Sequence, residues 1–245
     1  LYPIYTGLRI DALACDTNSY CNTAWSMYQG GATYTVDVED GTSDPDFVMD
    51  GGIYGNVSTV NITGAGKMVF NGNSSSATVN VNGGILLING AASGAVNVNA
   101  GCALGGIGAI AGTVSVAGGA TLTPGDPSVN NGVGTLSTAD VTLQNGSTFV
   151  VQIVTAADKI QSSGTVALQA GAALNLATVG ENIQPDTVYT LISATSVTGT
   201  FAGLPEGATA PYNGALNSIY AFSIHYTATS VRLVSERIGT AYIFQ

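Results

Sequence analysis

The sequence predicts an all-β chain wound as a parallel β-solenoid, with distinct structures at its N- and C-terminal ends. Three observations predict this fold: a repeated apolar and glycine pattern in the middle, a near absence of charge in the same region, and aromatic residues concentrated at both ends. No helical period interrupts the repeats. A β-sandwich with Greek-key connections is the alternative architecture.

The middle of the chain contains six copies of the pattern V-x-V-x-x-G-x-x-L, with conservative exchanges. Successive copies begin 19, 17, 18, 27 and 25 residues apart. Periodicity of this length, with short strands between glycines, favours a solenoid over a sandwich. The patterned residues are Val60-Ile62-Ala65-Met68, Val79-Val81-Gly84-Leu87, Val96-Val98-Gly101-Leu104, Val114-Val116-Gly119-Leu122, Val141-Leu143-Gly146-Phe149 and Val166-Leu168-Gly171-Leu174.

Each repeat reads as a short strand followed by a sharp corner. Alternate residues of a strand point to the same side, so both apolar residues of V-x-V face inward. Glycine supplies the positive φ that a corner needs, and only the first copy has Ala65 at that position. A single unit cannot bury its apolar face, whereas stacking encloses each Val or Leu at roughly 1.5–3 kcal/mol. Residues 51–203 are therefore predicted to form about six to eight coils.

Charge is scarce and predominantly negative. Only 8% of the 245 residues are charged, against roughly 25% in an ordinary soluble domain, and residues 68–125 contain no Asp, Glu, Lys, Arg or His. The 15 acidic and 5 basic residues give a net charge of −10, which disfavours nucleic acid and anionic membrane surfaces as partners. The most apolar stretch, 101–120, contains seven glycines and alternates, so no membrane insertion is expected.

The two ends are predicted to differ from the solenoid body. Because solenoid ends expose unpaired strand edges, residues 1–50 are predicted to form an N-terminal cap or assembly segment, and residues 204–245 a C-terminal β cap. Cys15 and Cys21 have a spacing compatible with a local disulfide, with two unpaired thiols as the alternative. Cys102 is expected to be a small buried hydrophobe. The start at Leu1 rather than Met predicts prior removal of a signal peptide.

The repeats resemble a known bacterial family. The segment LGGIGAIAGTVSVAGGATLTPGDPS (104–128) resembles the passenger-associated β-strand repeat of autotransporters, and 189–208 with 222–233 looks like the segment that often follows such repeats. The likeness covers roughly residues 57–233. It implies a right-handed β-helix, secreted and displayed on the bacterial exterior, adhesive or structural, and without catalytic residues. The family's translocator barrel is not expected within this chain, and residues 1–50 match nothing in the family.

The pattern of titratable residues predicts a protein that is not an enzyme and needs no cofactor. His225 alternates with apolar neighbours and has no accompanying nucleophile motif, so it is expected to be a strand-surface histidine. Residues 51–139 offer only Lys67 and Asp126, whereas polysaccharide-cleaving enzymes gather several carboxylates.

One acidic segment offers hard oxygen ligands that could hold Ca²⁺. Its spacing does not fit an EF-hand, and a solvated acidic loop is the alternative. Its members are Asp37, Glu39, Asp40, Asp44, Asp46 and Asp50.

The C-terminus ends in a short uncharged segment of high β propensity. Such a strand is predicted either to pair within its own cap or to be donated to a neighbouring subunit. This predicted assembly strand comprises Thr240, Ala241, Tyr242, Ile243, Phe244 and Gln245.

Together these features predict a secreted, non-catalytic structural subunit of a bacterial extracellular filament or surface layer. Its predicted partners are copies of itself, joined head to tail through terminal strands, and neither nucleic acid nor membrane. The first alternative is an adhesin-type passenger domain that binds surface glycans or matrix proteins. The second alternative is a β-helix enzyme acting on polysaccharides.

Overall fold

A computed structural model describes residues 7–13, 16–179, 183–212 and 220–237, and the regular secondary structure of these residues is almost entirely β-strand. Within these ranges there is no helix of the length and apolar character that crossing a membrane requires. A single 3-10 turn, Asn130–Gly132, interrupts the strands. The strands are β1 (Gly7–Ala12), β2 (Ser19–Cys21), β3 (Trp25–Val38), β4 (Phe47–Met49), β5 (Ile53–Thr63), β6 (Lys67–Phe70), β7 (Asn73–Ser74), β8 (Thr78–Val81), β9 (Ile85–Ile88), β10 (Ala91–Ala92), β11 (Val96–Val98), β12 (Ala103–Gly106), β13 (Ala109–Ile110), β14 (Val114–Val116), β15 (Thr121–Pro124), β16 (Thr135–Thr138), β17 (Val141–Leu143), β18 (Thr148–Ile153), β19 (Lys159–Ser162), β20 (Thr165–Leu168), β21 (Ala173–Val179), β22 (Val188–Ser193), β23 (Ser196–Thr198), β24 (Thr209–Ala210), β25 (Tyr220–Thr227) and β26 (Ser230–Arg237).

The strands wind into a three-sided parallel solenoid, as the repeats predict. Each coil visits a face A, a face B and a face C in turn, and each strand pairs in parallel with its counterparts in the coils before and after it. Face A carries the V-x-V strands β8, β11, β14, β17 and β20, and face B is the eight-stranded sheet from β2 to β21. Face C carries β7, β10, β13, β16, β19 and β22. β3 and β5 run continuously from face C into face A.

The strand register confirms the repeat on face A. Val60 pairs with Val79, and the column continues through all six predicted first positions to Val166. The second positions form a parallel column in the same strands, from Ile62 to Leu168. These residues are buried, and together with face B they form one continuous core.

Two details of the repeat differ from the prediction. The inward column on face B passes through Leu86, which pairs with Met68 and Leu104, whereas the predicted Leu87 faces outward. In the first copy the positive φ belongs to Gly64 (φ 85°) rather than to Ala65. A Cβ on Gly64 would lie 2.0 Å from the carbonyl oxygen of Val38, so glycine is required there by space as well as by φ.

The solenoid also begins earlier than the predicted boundary at residue 51. β1 pairs in parallel with β3, and β2 pairs in parallel with β4, so two further coils precede β5. The reason is that Tyr34 and Val36 repeat the V-x-V pattern and stack on Val60 and Ile62. The described part of residues 1–50 is therefore solenoid rather than a separate cap.

The C-terminal end has a different, antiparallel structure. β25 and β26 form a hairpin, β24 pairs with β25, and β26 pairs antiparallel with β22 of the last coil. Phe201 is buried under the end of the core and stacks on Phe149 with ring centroids 6.0 Å apart. Phe222 of the hairpin meets Tyr189 edge to face at 6.0 Å. These aromatic rings and the hairpin cover the last coil.

Neutral amide ladders run along the outside of face A. The Asn80 side-chain nitrogen donates to the Asn61 side-chain oxygen at 3.0 Å, and Asn97 donates to Asn80 at 2.9 Å. Identical side chains stacked one coil apart can each donate and accept, whereas identical charges would repel one another. This accounts for the neutral side chains at positions 80 and 97.

Candidate functional site

The outward surface of face B carries a groove, here called the face-B groove, that is lined by residues from five separate segments. Its floor is an apolar column formed by Val48, Val69 and Leu87, which pack together apart from the main core. Tyr20 continues the column into the first coil, where it pairs with Val48, and its side chain is 63% exposed. The enclosed volume is about 630 Å³, within the roughly 300–1,000 Å³ typical of ligand sites.

One wall of the groove is an insertion between β15 and β16. In the preceding coil only two residues separate β12 from β13, whereas residues 125–134 separate β15 from β16. This insertion accounts for the 27-residue interval between Val114 and Val141, which pair directly on face A. It folds back over face B, and residues 126–129 line the groove. Insertions in repeat proteins commonly form the binding face.

Both ends of the insertion are held to the solenoid by hydrogen bonds. At its start, Gly106 and Gly125 donate their backbone N–H groups to each other's carbonyl oxygens at 2.8 and 2.9 Å. At its end, the buried carboxylate of Asp158 accepts the N–H of Gly134 at 2.9 Å and of Gln152 at 2.8 Å. Burial raises the pKa of Asp158 to about 6, because desolvation outweighs these two hydrogen bonds. The wall is thus anchored by the solenoid at both ends.

A row of amides and carboxylates borders the apolar floor of the groove. Asn71 donates to Asp50 at 2.7 Å, and the Asn89 side-chain nitrogen donates to Asn71 at 3.2 Å and to Asp126 at 2.6 Å. Burial would raise the pKa of Asp126, but hydrogen bonds from Ser128 and Asn89 and the charge of Lys67 lower it overall. Asp126 is therefore held as a carboxylate.

The other wall contains Asp44, Pro45 and Lys67. The Lys67 ammonium lies 2.5 Å from the Asp44 carboxylate, and the Lys67 side chain is only 19% exposed. Lys67 and Asp126, the two charged residues within 51–139, thus face the same groove although 59 positions separate them in the sequence. The sequence identified both residues but gave no sign that they meet.

The predicted calcium ligands do not converge. In the described part of the chain no three His, Cys, Asp or Glu side chains are placed to hold a metal ion. Asp37 accepts from Arg9 and Thr63, Asp44 pairs with Lys67, and Asp50 accepts from Asn71. Asp46 is buried and accepts the backbone N–H groups of Gly41 and Lys67. Glu39 and Asp40 are exposed.

The cysteines and the predicted assembly strand divide between described and undescribed residues. The Cys21 sulfur accepts the Trp25 indole N–H at 3.1 Å. Cys15 lies outside the described residues, so the pairing of the two cysteines stays a prediction. Cys102 is buried, as its apolar surroundings predict. The predicted assembly strand, 240–245, also lies outside the described residues.

His225 takes part in a hydrogen-bond chain that the sequence did not indicate. Its Nδ1 lies 2.7 Å from Glu206, and its Nε2 lies 3.0 Å from the hydroxyl of Ser223. That hydroxyl also donates to the Glu236 carboxylate at 2.6 Å. Ser223 is buried. The order Ser–His–Glu imitates a catalytic triad, but the hydroxyl of this serine is buried and is bonded to a second carboxylate. The chain links the loop at Glu206 to the hairpin.

Comparisons with known proteins add no family or relative. The chain matches no protein-family model. No curated protein matches it either. The resemblance to autotransporter repeats therefore stays a prediction.

Proposed function

We propose that the chain is a secreted, non-catalytic structural subunit that joins copies of itself end to end into an extracellular filament or surface layer. The observation that carries this proposal is the difference between the two ends of the solenoid. At the C-terminal end, aromatic rings and a hairpin cover the last coil. At the N-terminal end, β1 has β3 as its one neighbour among the described strands.

The side of β1 that no described strand occupies has backbone groups suited to strand addition. The carbonyl of Ala12 accepts the N–H of Glu39, so the backbone groups of Ala12 face β3. Because these groups alternate in direction along a strand, those of Arg9 and Asp11 face away from β3. An extended segment of a second copy could pair there, and would continue the parallel stacking that already holds the coils together.

Electron microscopy of the purified chain tests this proposal. The full chain is expected to form filaments, and a version ending at Gly239 is expected to lose them because the predicted assembly strand is absent. Asp11→Pro removes one edge-facing N–H without touching the groups that face β3, so it should also abolish filaments. Asp11→Ala removes the same carboxylate but keeps the N–H, and should still assemble.

Two outcomes would contradict the proposal. Full-length protein that remains as isolated short rods under all conditions would exclude a filament subunit. Filaments that persist in both Asp11→Pro and the truncated chain would show that assembly does not use strand addition.

The adhesin-type alternative is favoured by a separate observation, the face-B groove. A binding groove on the side of the rod is compatible with either free or polymerised subunits. The proposal for that groove is made below.

A further inference from the structure

We propose that the face-B groove is a binding site for a short, uncharged oligosaccharide. The proposal goes beyond end-to-end assembly and does not depend on it. It rests on the shape of the groove, on the mixture of groups that line it and on the way those groups are held in place.

The groove offers one exposed aromatic ring beside a strip of apolar surface. Tyr20 lies at one end of the strip, on the same outward column as Val48, Val69 and Leu87. The aliphatic residues of this column are 4–7% exposed, so the floor is narrow, and the tyrosine ring supplies most of the accessible apolar area. A wholly apolar ligand would find little surface here, whereas the CH-bearing face of a pyranose ring matches a single flat aromatic side chain.

The polar rim consists of groups that bind hydroxyls in pairs. Asn71 and Asn89 present amides, Asp44 and Asp126 present carboxylates, and Lys67 presents an ammonium group. Adjacent hydroxyls of a sugar can donate to a carboxylate and accept from an amide or ammonium at the same time. A few polar groups in fixed positions beside apolar surface are the usual composition of a small-ligand site.

The charges favour an uncharged ligand. Lys67 is paired with Asp44 across 2.5 Å, so the ammonium is neutralised before any ligand arrives. Asp126 adds a further negative charge, and the whole chain carries −10. A phosphate, sulfate or uronate would therefore be repelled, and the groove contains no second cation to compensate for it.

The lining side chains are also preorganised. Asp126 is 5% exposed and accepts hydrogen bonds from Ser128 and Asn89, which fix both of its oxygens. Asn89 is fixed in turn by Asn71 and by the N–H of Ile107 at 3.3 Å. A site built from rigid parts orders fewer side chains on binding, which favours affinity. Asp126, fixed by these donors as a carboxylate, is unsuited to donate a proton to a glycosidic oxygen, so binding rather than cleavage fits the groove.

Saturation-transfer NMR on the full chain tests the proposal with maltotriose, cellotriose, mannotriose and N-acetylated chitotriose. At least one of these neutral trisaccharides is expected to bind. In spectra of the protein, the backbone and methyl signals whose chemical shifts change on binding should include those of Val48, Val69 and Leu87. Trigalacturonate, an anionic trisaccharide, is expected to bind more weakly than the neutral sugar.

Matched variants locate the site. Tyr20→Ala should weaken binding about tenfold, which corresponds to about 1.4 kcal/mol and is the upper part of the range for an aromatic contact. Tyr54→Ala, which removes another exposed tyrosine from β5, should leave affinity unchanged. Asn71→Ala should weaken binding about fivefold, whereas Asn97→Ala on face A should not.

The outcomes that would overturn the proposal are equally definite. Absence of saturation transfer from all four neutral sugars would overturn it, as would preferential binding of trigalacturonate. Binding that survives Tyr20→Ala but responds to Tyr54→Ala would place the site elsewhere. Cleavage of a bound trisaccharide would show that the groove is catalytic and not merely a binding site.

Discussion

Each end of the solenoid leaves an outermost strand edge, and the two ends differ in how the described residues cover it. At the C-terminal end, Phe201 and Phe222 are buried under the last coil, and β26 pairs antiparallel with β22. At the N-terminal end, the described residues continue the parallel stacking out to β1, and Leu13 and Tyr20 are each 63% exposed. A stacked fold needs its end strands covered, and within the described residues only the C-terminal end is covered by an antiparallel cap.

The two ends of the molecule are therefore not equivalent, and the rod has a direction along its axis. A rod with two capped ends could meet its neighbours only through its sides, while a rod with one continuing end can extend in one direction. Stacking adds one coil after another by translation along the axis. An end that continues the stacking is therefore suited to an open filament rather than to a closed symmetric oligomer. The C-terminal cap is therefore expected to act as a stability element, and the N-terminal coil is the end at which the proposed association would take place.

The largest expected effect comes from truncating the aromatic ring that closes the C-terminal end. Phe201→Ala removes a fully buried ring stacked on Phe149 and is expected to cost about 3–5 kcal/mol in the free energy of unfolding. Tyr20→Ala at the other end should change it by no more than about 0.5 kcal/mol, because most of that side chain is exposed. Urea unfolding followed by circular dichroism measures both. Equal costs at the two ends would break the comparison.

A smaller effect is expected from the hydroxyl that ties the capping loop to the hairpin. The Tyr226 hydroxyl donates to the Leu204 carbonyl at 2.8 Å and accepts the Phe201 N–H at 3.1 Å. Tyr226→Phe keeps the ring but leaves both backbone groups without this partner. The change should lower the free energy of unfolding by about 1–3 kcal/mol. Tyr54→Phe is the matched control at an exposed tyrosine, and the same urea series compares them. A neutral Tyr226→Phe would mean that the loop is held by packing alone.

The smallest expected effect is the response of the capping loop at Glu206 to pH. The backbone N–H of Tyr226 and the imidazole of His225 both bind the Glu206 carboxylate, and they lower its pKa below the ordinary value of 4.5. A depressed folded pKa stabilises the cap above pH 4.5, and that contribution is lost as the pH falls through the folded value.

The Tyr226 amide shift in NMR should therefore titrate below pH 4.5 in the native chain and stay flat in Glu206→Gln. Glu236, which reaches His225 through Ser223, and Arg232, which lies opposite His225 across the hairpin, are the other charged groups near this contact. A Tyr226 shift that still titrates in Glu206→Gln would show that a group other than Glu206 causes the pH response.

The sequence predicted the stacked columns because apolar alternation is a local property of each strand. It failed where local pattern carries no information. In Ile-Leu-Leu-Ile (85–88) every residue is apolar, so neither Leu86 nor Leu87 is marked as inward, and a one-residue slip exchanges the two faces. The first two coils escaped notice because their corner at 39–46 is acidic and polar, unlike the glycine corners of later repeats.

The face-B groove was beyond reach of the same reasoning. Tyr20, Val48, Val69 and Leu87 are neighbours only because strands from four successive coils pair side by side. The 27-residue interval contains the insertion after β15, but the spacing alone did not predict an insertion. Its direction depends on the contact between Asp126 and Asn89, which are 37 positions apart, and no periodicity encodes such a contact.

The amide ladder on face A has a consequence for how such a chain can lengthen. Val79 pairs with Val96 and Asn80 with Asn97, so residues 79–95 make one full turn that presents the same surface above and below. Duplicating the 51 nucleotides that encode these 17 residues would insert a new turn, lengthening the rod by about 4.8 Å, without requiring any new kind of contact. Length in this molecule is thus a quantity that gene duplication can adjust in single steps.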